Sequence, residues 1–165
     1  MLELNRTRTF RLNTLMPIRA RLAVALVLAT AVFGALALQD VAWSQDTTNG
    51  TVTVRSSDYG RILFDGSNRV LYAFTRDPSQ KSTCYGACAA AWPPYVVRGR
   101  PKAGQGAVRS LLGTTTRRDG RRQLTYAGKP LYYYVHDGPG QVLCQDVREY
   151  GGLWLVIRPN GRLVR

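Results

Sequence analysis

One seven-residue phrase occurs twice, and nothing else in the chain constrains the fold as strongly. Leu71-Tyr-Ala-Phe-Thr-Arg-Asp77 and Leu131-Tyr-Tyr-Tyr-Val-His-Asp137 both read Leu-Tyr-x-aromatic-x-x-Asp. Seven positions after each aspartate comes a cysteine, Cys84 or Cys144. A tryptophan then leads an apolar run: Trp92 before Pro93-Pro-Tyr-Val-Val97, and Trp154 before Leu155-Val-Ile157. Four landmarks in one order mark an internal repeat, which calls for two similar units. In a strand, Tyr72 shares a face with Phe74, and Tyr132 with Tyr134. Aromatic rings suit a pleated, half-buried surface and fill a small core. Pro78-Ser79 and Gly138-Pro139-Gly140 stop each strand. Asp77 and Asp137 are therefore expected to accept backbone N–H bonds just beyond, in Asx turns; a carboxylate aimed at a ligand is the alternative.

The first 44 residues stand apart. Arg6, Arg8, Arg11, Arg19 and Arg21 precede an uncharged, mainly apolar run from Leu22 to Leu38, then small residues before Gln45. That is the layout of a secretory signal peptide, cleaved after Ser44 or Ala37, with an uncleaved anchor as the alternative. Both readings export the remainder. Membrane association is expected only if the leader is retained.

The whole chain carries a net charge of +13. Five of its 23 Lys and Arg and two of its ten Asp and Glu lie in the leader, leaving residues 45–165 ten more basic than acidic side chains. Such a field draws anions, so an anionic envelope polymer or lipid headgroups are the candidate partners, although a charge so scattered reads first as a solvated surface. Export argues against nucleic acid. Arg117, Arg118, Arg121 and Arg122 are the densest cluster and the anion-binding candidates.

From residue 45 the pattern predicts a mainly β domain of about eight short strands, with two related antiparallel units near residues 59–98 and 111–165 and pseudo-twofold character. Residues 51–54, 59–64 and 69–75 read as strands. Asp119-Gly120 signals a hairpin between 111–118 and 121–126, and Asn160-Gly161 signals a closing one. Residues 98–106 read as a linker. The single helix is short: Ser82 or Thr83 can cap it, and Pro93 ends it at Trp92. Cys84, Cys88 and Trp92 then share its inward face.

Three cysteines in an exported chain mean one pair and one left over. A Cys84–Cys88 bond closes the smallest loop, and four-apart cysteines on a regular helix are too far apart unless Cys84 precedes its start. Spacing alone favours a bond between the halves, Cys84 to Cys144. His136 is the only histidine, so no two-histidine metal site can form, and no cofactor is expected. No catalytic set is evident.

Tyr72-Ala-Phe-Thr-Arg-Asp77 and Tyr132-Tyr-Tyr-Val-His-Asp137 resemble the Tyr-x-(Phe/Trp/Tyr)-x-x-Asp signature of a family of secreted bacterial repeat proteins, labelled predicted lipoproteins or secreted repeats of unknown function. Ser82-Thr-Cys-Tyr-Gly-Ala-Cys-Ala-Ala-Ala-Trp-Pro-Pro94, Leu111-Leu-Gly-Thr114, Thr125-Tyr-Ala-Gly-Lys-Pro-Leu-Tyr132 and Gly151-Gly-Leu-Trp154 are similar too. The resemblance implies a bacterial envelope or extracellular protein, and implies that Cys84 pairs with Cys88, leaving Cys144 extra. No lipid-attachment cysteine lies by the leader, so lipid tethering does not carry over. The expectation is a periplasmic or extracellular, non-catalytic binding or structural module. The alternative is a thiol–disulfide redox or cofactor-binding protein using Cys84, Cys88 and Cys144.

Overall fold

The computed structural model describes residues 50–165, so the leader and its cleavage lie outside the described residues. Among the described residues, nine short strands form three three-stranded sheets, with one short α-helix and a 3-10 turn at Arg109–Leu111. β1 (Thr51–Ser57) and β2 (Gly60–Asp65) make an antiparallel hairpin, and β4 (Lys102–Ala103) joins β1 in parallel. β5 (Leu112–Thr116), β6 (Arg122–Tyr126) and β7 (Lys129–Pro130) form the second sheet. The third runs β3 (Tyr72–Phe74), β9 (Gly152–Val156), β8 (Val147–Glu149). The predicted mainly β class is what folds. Residues 98–106, read as a plain linker, also supply the two-residue strand β4.

The two halves are strand-exchanged. Phrase one, in β3, pairs with β9, the tryptophan run of the second half: Tyr72 faces Val156 and Phe74 faces Trp154. Phrase two pairs with the tryptophan run of the first half in the same register. Tyr132 bridges Pro94, Tyr133 N donates to Pro93 O, and Val135 N donates to Ala91 O. The corresponding bond in the first half runs from Thr75 N to Leu153 O. Only the first copy is a regular strand, for a local reason. Pro93 and Pro94 have no N–H to give, so half of the second ladder cannot form. The flanking strands repeat the exchange: Leu63 N donates to Ile157 O at 3.0 Å, and Leu124 N to Tyr95 O at 2.8 Å.

Alternation holds along both phrases, yet neither face of their first three residues meets water. Tyr72, Phe74 and Tyr132 enter one apolar cluster with Trp92 and Trp154. Leu71, Ala73, Leu131 and Tyr133 enter the other, with Leu63, Leu124 and Ile157. Each phrase is thus a divider between two small cores, which explains why it carries large residues at successive positions.

The helix, α1 (Ala87–Ala91), is shorter than the alanine-rich pattern suggests. Gly86 takes the cap position without a side-chain cap bond. Ser82 and Thr83, the expected caps, are drawn away into a buried bond to Tyr132 and an exposed bond to Asp77. Cys84 consequently precedes the helix. Its Cα lies 5.3 Å from that of Cys88, and the two form the disulfide. This is the pairing that the family resemblance implies; the spacing argument for a bond between halves is corrected, and Cys144 is free. Loop entropy favoured the longer ring, but the Cys84–Tyr85–Gly86 bend presents Cys84 to Cys88. So small a ring constrains the unfolded chain little. Replacing both cysteines by alanine should cost about 2 kcal/mol in urea-unfolding free energy and leave the fold intact.

Candidate functional site

The repeated residues converge on one seam. Tyr72 N donates to Tyr132 O and Tyr132 N to Tyr72 O, each at 2.9 Å, so the two phrases cross on the local twofold axis. Each tyrosine then reaches the aspartate of the other half. Tyr72 Oη donates to Asp137 Oδ2 at 2.8 Å, and Tyr132 Oη to Asp77 Oδ2 at 2.6 Å. The remaining carboxylate oxygens close the local loops. Asp77 Oδ1 accepts from Thr83 N and Oγ1, both at 2.7 Å, and Asp137 Oδ1 accepts from Leu143 N at 3.0 Å. Both backbone donors stand six residues after their aspartate. The expected Asx turn is therefore corrected to a wider loop clasp, because the other oxygen must stay aimed across the axis.

Burial pushes both aspartates above the ordinary carboxylate range, against the pull of Tyr132 and Thr83 on Asp77 and of Tyr72 and Leu143 on Asp137. Burial also raises both tyrosines well above 10, and the facing carboxylates raise them further. The tyrosine shifts keep both hydroxyls neutral as donors, whereas burial works against the ionised form of each aspartate that the hydrogen bonds favour.

Behind the hydroxyls the rings form a four-layer pile crossing the same axis. Phe74 stacks on Trp154 at 4.3 Å between centroids, Trp154 on Trp92 at 4.0 Å, and Trp92 leans on Tyr134 at 4.8 Å. Tyr72 and Tyr132 meet Trp92 and Trp154 edge-on, both at 5.2 Å. Gly152 must be small here, since a Cβ would sit 2.6 Å from Phe74 Cε2. The symmetry breaks at the indole nitrogens. Trp92 Nε1 donates to Glu149 Oε2 at 2.8 Å, whereas buried Trp154 Nε1 has no partner. Glu149 was not legible because β8 was not. Its hairpin turns through Tyr150-Gly151, both at left-handed φ (51° and 79°), without the Asn-Gly or Asp-Gly that marks such turns.

The four candidate arginines have different surroundings. Arg117 is buried: Nη1 donates to Ser82 Oγ and Gln123 Oε1, and Nη2 to Cys84 O. Ser82 in turn bonds Tyr132 Oη, tying Arg117 to the seam. Arg121 is paired with Asp119 at 2.7 Å, and Arg122 reaches Thr114 Oγ1 at 3.2 Å. Arg118 is exposed, with its guanidinium 3.8 Å from the Tyr85 ring centre. Nothing in the spacing distinguished these four. Only a cue that strand β5 continues inward at residue 117 would have marked the buried one.

The remaining candidates are dispersed. His136 is exposed and meets only the edge of Tyr134. Cys144 is half-buried, and burial raises its thiol above the ordinary range despite the Tyr134 hydroxyl beside it. Among the described residues no three His, Cys, Asp or Glu side chains gather as a metal site requires.

A family profile described as a secreted repeat of unknown function, Lipoprotein_15, matches residues 53–95 and 113–158. The chain belongs to this family. The two matched segments are the two halves joined at the seam, each holding one phrase and the greater part of one tryptophan run. No curated protein and no solved structure matches the chain. As a member of a secreted family the protein is exported.

Proposed function

We propose that this secreted-repeat protein is a non-catalytic module of the bacterial envelope, working in the periplasm or outside the cell as a rigid body that presents its surface to a partner. One observation carries the reading: the polar atoms of the repeated phrase are committed to each other. Both oxygens of Asp77 and of Asp137 are engaged internally, and both tyrosine hydroxyls face the opposite carboxylate. An active site would leave acid, base or nucleophile open to a substrate. Here the residues that define the repeat are used to close the fold.

The competing thiol–disulfide reading makes different demands. A redox pair needs an accessible, low-pKa thiol. Cys84 and Cys88 are buried, and the free thiol of Cys144 is pushed up, not down. The test is thiol titration across defined redox buffers. The module reading expects one alkylatable thiol after denaturation without reductant, and a disulfide still oxidised near −270 mV, roughly the potential of thioredoxin. Reversible cycling of Cys84–Cys88 at milder potentials would overturn it.

A further inference from the structure

We propose that the cleft between the Lys81–Tyr85 loop and the end of β5 binds a phosphodiester group of an anionic polymer. The proposal deepens the module reading by naming a surface and a ligand class. The cleft has a volume of about 400 Å³, and its wall includes Lys81, Arg117 and Arg118 but no acidic residue.

Three features make it more than a share of the overall positive charge. Lys81 and Arg118 are exposed and have no carboxylate partner among the described residues. Asp119, the acid nearest Arg117, is held by Arg121. Buried Arg117 is fixed at both Nη atoms, yet its Nε has no hydrogen bond, with Asp119 Oδ2 3.9 Å away. A preorganised guanidinium with one buried, unsatisfied N–H therefore lines the cleft together with exposed Thr116 and two surface cations that lack a carboxylate partner.

The chemistry selects the ligand. Donors converging from several directions suit a tetrahedral oxyanion better than a planar carboxylate, which a single arginine fork satisfies. Stacking of a neutral sugar is disfavoured, because Arg117 and Arg118 already lie 4.4 and 3.8 Å from the Tyr85 ring centre. A membrane surface is disfavoured as the source of the phosphate. Interfacial binding adds apolar contact to charge, and the exposed large hydrophobic residues, Tyr59, Val108, Val135, Leu143 and Tyr150, are absent from the cleft wall.

The test measures binding of a glycerol-phosphate oligomer by calorimetry at low ionic strength. Lys81→Ala/Arg118→Ala is compared with Arg158→Ala/Arg162→Ala, which removes the same charge from another basic cleft of about 400 Å³. All four side chains are exposed, so folding is expected to survive in both variants. The first variant should weaken binding at least tenfold, and the second less than threefold. Equal losses would reduce the effect to a diffuse field and overturn the site. So would absence of oligomer binding by the unaltered protein, equal affinity for polygalacturonate, or binding confined to phosphatidylglycerol vesicles. None of these outcomes touches the module reading, which fails only if the disulfide cycles.

Discussion

Tyr72→Phe should lower the unfolding free energy by about 2 kcal/mol at neutral pH, and Tyr132→Phe by a similar amount, since each hydroxyl donates to a buried or half-buried carboxylate. The ring stays and the apolar area is kept, so the loss reports the missing hydroxyl, which at Tyr132 includes its bond to Ser82. The two tyrosines exchange backbone bonds across the axis. A double variant should therefore depart from additivity by 0.5 kcal/mol or more, on the order expected for residues in contact. A plain sum would mean that the seam is two separate bonds. The pH dependence gives a second reading. Folded Asp77 and Asp137 have raised pKa values, so they hold protons that the unfolded chain has released. Their contribution is present below the unfolded value, near 3.9, and is lost as pH rises through the folded values. The phenylalanine penalty should accordingly shrink in acid, where a protonated aspartate needs its donor less. At the alkaline end the tyrosines act with the same sign. Their folded pKa values are raised, so stability is held below about pH 10 and falls as pH climbs above it. Urea unfolding from pH 3 to 11 should show a shallower alkaline limb in each variant. An unchanged limb would sink the assignment.

The repeat, the mainly β class and the inward rings were legible because they rest on periodicity, and periodicity survives in a linear string. The exchange of tryptophan runs was not. Trp92 follows its own phrase in sequence as Trp154 does, and nothing local says that each will pair with the other copy's phrase. The aspartates show the same limit. Asp77 and Asp137 were read as strand stops, and their loop bonds to Thr83 and Leu143 agree with that. Their second oxygens look across a symmetry axis that exists only after folding. Arg117 fails for a related reason. It sits beside three similar arginines in sequence, and only the continuation of β5 into the Ser82–Gln123 pocket separates it from them. The Cys84–Cys88 bond turned on the bend over Cys84-Tyr85-Gly86, three residues whose shape helix propensity does not report.

The largest single loss is expected at Trp92. Trp92→Ala should cost about 3–5 kcal/mol, because it empties the middle of the four-ring pile and leaves Glu149 without its indole donor. Trp154→Ala should fall in the same range on ring volume alone. Phenylalanine at each position separates the two roles. Trp92→Phe loses the hydrogen bond to the Glu149 carboxylate, about 1.5–3 kcal/mol for a bond to a charged group. Trp154→Phe loses contact area but also removes a buried N–H with no partner, whose burial costs about 1–3 kcal/mol. The two terms offset, and the net change should stay within about 1 kcal/mol. Glu149→Gln should be milder than Trp92→Phe, since the amide oxygen still accepts from the indole. Urea unfolding of the three variants decides the matter. Equal losses at Trp92 and Trp154 would mean that the Glu149 bond contributes nothing. A pseudo-twofold body made from one repeated phrase would then be energetically as symmetric as its backbone. The unequal indole nitrogens argue that the second copy has diverged, with β8 and its glutamate standing where the first copy has a cysteine-bound helix.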